Sequence, residues 1–278
     1  MTEEQEKIKE FGNEQLRQLI AGAYDSTSVH NRTTLAICVM LTTKPSDIEG
    51  LYRLINAVKG ERVYVILNRR NDETEIGLSP LVRAINKKEN VFVMQGENNP
   101  LDFSAMKNRF LEIEHVKSDW ILFLDADEYV DINDLNLLKK HIKDAEKHNI
   151  SALQLINMEV TTKNEIQSVE QLRCVKKSEG WRWCFQIHEQ ILKVDQFNTS
   201  IVARTQAIIR HKGYSHLNDS ELFEKYERNL TTLVNALDRL FQSKANGAEL
   251  NVDEVIHYSK YLEVTGREFT AILENNTK

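Results

Sequence analysis

Trp120-Ile-Leu-Phe-Leu-Asp-Ala-Asp-Glu-Tyr-Val130 is the stretch on which the reading of this 278-residue chain turns. Trp120 to Leu124 is an unbroken apolar run without period-2 alternation, the pattern of a strand buried on both faces of a parallel sheet. The run ends on Asp125, Asp127 and Glu128, carboxylates crowded at the mouth of a low-dielectric core. They repel one another unless a cation or protons neutralise them. In an open α/β sheet, ligands bind outside the carboxyl ends of the strands, so something positive is expected there. Extended chain would turn Asp125 and Asp127 to one side and Ala126 to the other. Hard oxygen ligands of this kind suit Mg2+ or Mn2+, particularly with phosphate oxygens completing the shell. The alternative is an acidic loop capping a helix that begins near Asp131, and a bare Asp-x-Asp favours it.

Upstream of this stretch, Thr34–Leu41, Val63–Leu67 and Val91–Met94 read as short buried strands. Helical patterns lie between them, from Ser46 (an offered N-cap after the strand-breaking Pro45) through Val58 and from Leu78 to Lys88. Asp102 to Val116 is a further helix leading into the acidic strand. Strand and helix alternating at this spacing predict a doubly wound parallel sheet. Downstream, a helix over Ile132–His148 is followed by strands at Ser151–Thr161, Gln171–Val175, Phe185–Leu192 and Ile201–Ile209, a mixed-sheet extension. Leu222, Tyr226, Leu230, Leu233, Leu237 and Leu240 then form a helical stripe, and a second helix covers Val252–Leu273. Residues 3–23 carry an amphipathic pattern of their own. The expected division is an N-terminal helix (1–30), an α/β domain (31–218) and a C-terminal helical hairpin (219–278), with the terminal helices docked on the domain or joining two copies as a homodimer.

Composition narrows the class. The chain is 41% apolar and 28% charged with a net charge of -6, which argues against a nucleic-acid partner. No run approaches the roughly 18 apolar residues of a membrane span, so no integral membrane contact is expected. Cys38, Cys174 and Cys184 are an odd set without metal spacing, which suits a reducing compartment. With no basic start followed by an apolar segment at Met1, the cytoplasm is the expected location.

Lys117–Glu128, preceded by Asp102-Phe-Ser-Ala-Met-Lys-Asn-Arg109 and followed by Gly180-Trp-Arg-Trp-Cys-Phe-Gln-Ile-His-Glu189 and Ile209-Arg-His-Lys-Gly-Tyr214, resembles the family 2 glycosyltransferases of the GT-A fold. The nearest branch holds lipopolysaccharide-core transferases and bacteriocin peptide S-glycosyltransferases. The resemblance covers about residues 33 to 235. It implies a Rossmann-like, doubly wound mixed sheet and an inverting, metal-dependent transfer from a UDP-sugar, glucose or a relative. The acceptor stays open among a cell-envelope glycan, a peptide Cys or Ser, and a modified nucleic-acid base. A mobile-element or phage origin would suit so short and atypical a member.

Roles follow residue by residue. The resemblance implies that Asp127 binds Mn2+ or Mg2+ directly, and that Asp125 binds the ribose or the metal through water. It also implies that His211 completes the metal shell, with Arg210 and Lys212 near the diphosphate and Arg173 on phosphate. Direct displacement at the anomeric carbon needs a base on the face opposite the leaving group. Glu189 is the choice for that base, and His188 for an orienting or acceptor-binding residue. Trp181 and Trp183 share a face and either stack on the donor sugar or acceptor or belong to the core. Similar enzymes carry an acid after the second strand to read uracil; here the segment is Leu67-Asn-Arg-Arg-Asn-Asp-Glu-Thr74, leaving Asp72 or Asn68 for that contact. The altered loop keeps a second reading open, a catalytically lapsed domain that binds a nucleotide or partner.

Overall fold

A computed structural model of the chain describes residues 33–41, 45–58, 60–67, 90–95, 102–114, 116–160, 165–193, 201–211 and 218–276. Four parallel strands lie side by side in the order β3 (Val91–Gln95), β2 (Arg62–Leu67), β1 (Leu35–Leu41), β4 (Trp120–Asp125). Their alternate side chains feed two cores. Leu35, Ile37, Val39 and Leu41 of β1 join Trp120, Leu122 and Leu124 of β4 on one face, under α1 (Pro45–Ala57) and α3 (Ile132–Lys147). Ala36, Cys38 and Met40 join Ile121 and Phe123 on the other, against α2 (Phe103–Glu112) and Trp181 and Trp183. Both faces being covered is why the sequence shows apolar runs without alternation. Each large side chain so buried contributes about 1.5–3 kcal/mol.

The second half reverses direction. β7 (Ile166–Lys176) runs antiparallel to β4 and to β6 (Ala152–Val160), β10 (Val202–His211) pairs parallel with β6, and β5 (Glu128–Tyr129) closes the edge antiparallel to β10. The eight-stranded order is β3-β2-β1-β4-β7-β6-β10-β5. Only Ala126 and Asp127 join β4, in the middle, to β5 at the edge, a link of at most about 11 Å. Four strand spacings in a flat sheet would be about 19 Å. The sheet therefore curls until β10 comes round to the end of β4.

The segment expected as one strand over Phe185–Leu192 is not one. Only β8 (Trp181–Cys184) and β9 (Gln190–Lys193) form a hairpin, and Phe185 and His188 between them take positive φ values of 70° and 51°. After β10, α4 (Asp219–Ala245) opens on a capping box between Asn218 and Glu221 and packs against α5 (Val252–Asn276). The expected helices over 3–23 and 78–88 lie outside the described residues.

One glycine seats the acidic turn. A Cβ on Gly50 of α1 would stand 2.2 Å from the carbonyl oxygen of Ala126. Alanine normally stabilises a helix interior by about 1 kcal/mol over glycine. Here Gly50→Ala is expected to cost about 1–3 kcal/mol instead, through overpacking. Urea unfolding checks the sign, and a variant more stable than wild type would mean that α1 does not rest on the turn.

Candidate active site

The carboxyl end of β4 gathers charge from four elements. Asp125 and Asp127 take different ion-pair partners, Ala126 and Asp127 forming a turn rather than extended chain. Asp125 Oδ1 lies 2.8 Å from Lys107 Nζ, and its Oδ2 lies 3.4 Å from Nη1 of Arg173. The same Lys107 ammonium reaches Glu189 Oε1 at 2.6 Å and lies 4.5 Å above the Trp183 ring. Glu128, 2% exposed, accepts hydrogen bonds from the Asp125 backbone N–H at 2.8 Å, Asn157 Nδ2 at 2.9 Å and Arg173 Nη2 at 2.8 Å. One buried and two half-buried carboxylates thus meet two buried cations, one from α2 and one from β7.

These contacts set the protonation states. Burial alone would raise the Asp125 carboxyl, but Lys107 and then Arg173 outweigh it and hold the group far below the usual carboxylate range. Burial would likewise lower Lys107, yet Asp125 and Glu189 more than offset it and the ammonium is held on more firmly than usual. Glu128 goes the other way: burial raises its pKa despite Arg173.

Asp127 faces a different partner. Its Oδ2 lies 2.9 Å from Nε2 of His211, whose Nδ1 stands 3.9 Å from Glu159 Oε2. Burial would lower the His211 imidazolium, but the hydrogen bond and charge of Asp127, aided by Glu128 and Glu159, raise its pKa. Among the described residues no group of three or more His, Cys, Asp and Glu side chains gathers as an ion cage. The converging pair fits a hard cation in part. One carboxylate oxygen and one imidazole nitrogen meet, and a second carboxylate backs the ring as outer-shell partners of metal-bound histidines do. The rest of the shell would come from phosphate oxygens and water.

Several expected donor contacts are spent elsewhere. Arg173 uses its three nitrogens on Gln171, Asp125 and Glu128, so it is a counter-ion under the acids rather than an exposed phosphate ligand. Arg210 points to the face opposite His211 and pairs with Asp131, the N-cap of α3, at 3.0 Å and with Asp134 of its first turn at 2.7 Å. Trp181 is 2% exposed and packs in the core, with Nε1 donating to Ser151 Oγ at 3.3 Å; the face it shares with Trp183 is the apolar one, which leaves no ring for a sugar. Asn68, Asp72 and Lys212 lie outside the described residues. His188 stacks on Tyr261 of α5, with centroids 4.2 Å apart and planes 9° from parallel, and burial lowers its pKa. His188 and Glu189 therefore turn to different neighbours.

Sequence reasoning gave Lys107 no role. The signal was present, since Lys107 falls between Ser104, Met106, Phe110 and Leu111 on the buried stripe of α2. A lysine there requires an anion.

Residues 41–217 match the model of glycosyl transferase family 2, and the chain belongs to that family. Among solved structures it is similar to S. aureus TarS (14% identity over 74% of this chain and 40% of that one, TM-score 0.46). It is also similar to the mannosyltransferase PcManGT from Pyrobaculum calidifontis in complex with GDP-Man and Mn2+ (10% identity, 95% and 81%, TM-score 0.48). The chain thus spans less than half of the TarS chain. No curated protein gives a match. No helix of the described residues is long and apolar enough to cross a membrane.

Proposed function

We propose that the chain transfers a sugar, with inversion, from a nucleotide-sugar donor to a hydroxyl or thiol acceptor, with Glu189 as the base. One observation carries this reading: Lys107 holds the donor-side acid Asp125 and the carboxylate of Glu189 on a single buried ammonium. A base is thereby fixed within one side chain of the strand end where nucleotide sugars bind in sheets of this kind. UDP-glucose or a relative is the donor that the family resemblance implies. The acceptor falls among the three classes that the sequence leaves open, with the lipopolysaccharide-core and peptide branches first.

The chain's own residues would act as follows. Lys107 aims Glu189, so that it can take the acceptor's proton as the new bond forms at the anomeric carbon. Lys107 and Arg173 keep Asp125 ionised for the ribose or for a metal-bound water. Asp127 and His211 would hold Mn2+ or Mg2+, whose chemistry when bound is to stabilise the negative charge developing on the leaving diphosphate.

Thermal shift against UDP-glucose, UDP-N-acetylglucosamine and GDP-mannose, with and without Mn2+, tests donor and cation together. A ligand that binds only the folded state raises Tm with the logarithm of its concentration over Kd. A Mn2+-dependent shift with one donor is expected, and Asp127→Ala is expected to abolish it without unfolding the chain. No shift with any donor would favour the second reading, a lapsed domain that binds a partner. That reading draws on one observation, that protein cations already neutralise Asp125.

A further inference from the structure

The loop that delivers Glu189 is held in an unfavourable shape, and what holds it comes from outside the sheet. Phe185 and His188 both have positive φ, a conformation that a non-glycine residue keeps only where its surroundings over-determine it. Each residue from 185 to 188 meets the α4–α5 hairpin. The Phe185 ring stacks on His257, centroids 3.7 Å apart and planes 10° from parallel. The Gln186 backbone N–H donates to Tyr258 Oη at 3.0 Å, and its side-chain oxygen accepts from Arg239. Ile187, 4% exposed, packs with Leu233, Ala236 and Tyr258, and its carbonyl oxygen lies 3.2 Å from His257 Nε2. His188 stacks on Tyr261.

On the sheet side the same loop has a different set of ties. Phe103 N–H donates to the Gln186 carbonyl at 3.1 Å, and Gln186 Nε2 reaches Asp102 at 3.4 Å. The next residue along is Glu189, on Lys107.

We infer that the α4–α5 hairpin is a working part of the active site, with Tyr258 and Tyr261 as positioning residues that hold the Phe185–His188 loop so that Glu189 stays on Lys107 and faces the acceptor. The inference rests on the reading of Glu189 as the base. Tyr258 acts through its oxygen, which satisfies a loop N–H; Tyr261 acts through its ring. The two side chains should therefore answer differently to the same substitution. Tyr258→Phe removes the acceptor of the Gln186 N–H, whereas Tyr261→Phe keeps the stack.

The test uses the full chain with UDP-glucose, UDP-N-acetylglucosamine and GDP-mannose in Mn2+. It measures nucleoside diphosphate release into water and, in parallel, amide hydrogen exchange over residues 185–189. Tyr258→Phe and Tyr261→Ala are expected to lower kcat roughly ten- to a hundred-fold with KM for the donor within about twofold, and to speed exchange in the loop. Tyr261→Phe is expected to restore most of what Tyr261→Ala loses. Glu189→Gln separates the two layers of the argument: its failure to slow release sinks the base reading and the inference with it. Slow Glu189→Gln beside normal kcat in both tyrosine variants sinks the inference alone, as does faster loop exchange without a change in kcat. A fall in kcat with no change in loop exchange also overturns it, because the effect would not pass through the loop. A wild-type chain that releases no diphosphate from any of the three donors overturns both.

Discussion

Lys107→Met is expected to be the most damaging single change to stability. The ammonium is 3% exposed at its side chain and lies between Asp125 and Glu189 at 2.8 and 2.6 Å. Met keeps the length and the contact with Trp183 but leaves two carboxylates facing each other in a buried site. Removing one partner of a buried ion pair costs about 3–5 kcal/mol; for a chain of this size that is a fall in Tm of about 10 °C. The pH dependence has a definite sign. In the wild type the depressed Asp125 pKa contributes stability that is present above the unfolded value of about 3.9 and lost as pH falls through the folded one. In the variant Asp125 loses the ammonium that does most to hold its pKa down, so its pKa rises and the folded state takes up a proton that the unfolded chain releases. The deficit should therefore shrink as pH falls from 7 to about 5. Urea unfolding at both values measures it, and adding Glu189→Gln should recover part of the loss. Equal deficits at pH 7 and 5 would mean that the lysine acts by packing rather than by charge.

Glu189→Gln should have the largest effect on turnover while hardly touching the fold. The amide keeps the shape and an oxygen for Lys107 but cannot take a proton. For a hydroxyl acceptor, loss of a general base is expected to lower kcat by about 10^2–10^4 with KM for the donor unchanged. A thiol acceptor changes the prediction, because a free thiol with a pKa of about 8.5 is already partly ionised near neutrality. The loss would then be small at pH 8 and grow as pH falls. The pH profile of this one variant therefore reports the acceptor's chemical class before the acceptor is known. A kcat within about threefold of wild type at every pH for a hydroxyl acceptor would remove Glu189 from the role.

The parts of this molecule that were legible in the sequence are those governed by local rules. β4 shows itself because a strand covered on both faces needs apolar residues at every position, and Trp120 to Leu124 supply them. Helices do open at Asp102 and beside Asp131, where the pattern sets their starts, and both carboxylates accept from backbone N–H groups of the first turn, Ala105 and Asn133 with Asp134. Trp181 and Trp183 were correctly placed on one face, but period two does not say which face is the core. Positive φ at Phe185 and His188 has no signature in residue type, so the loop read as strand. The counter-ions of the acidic cluster were hidden for another reason: Lys107 and Arg173 stand 18 residues before and 48 after Asp125, and only the folded sheet brings them together. The sequence argument that the acids require a positive neighbour was sound, but two protein side chains supply much of that charge. Asn68, Asp72 and Lys212 stay proposals for donor contacts.

The curled sheet has a consequence for how the protein is made. Asp127 and His211 are 84 residues apart, and they meet only because the edge formed by β10 and β5 swings round to the middle strand. A nascent chain that has laid down β1 to β4 and the acidic turn still lacks this pairing until β10 has left the ribosome, and it lacks the Tyr258 and Tyr261 contacts for some fifty residues more. The chemistry is thus withheld until α5 has been made. Slow pairing of distant strands gives the same order in refolding from urea, where donor binding should return after the bulk of the helical signal.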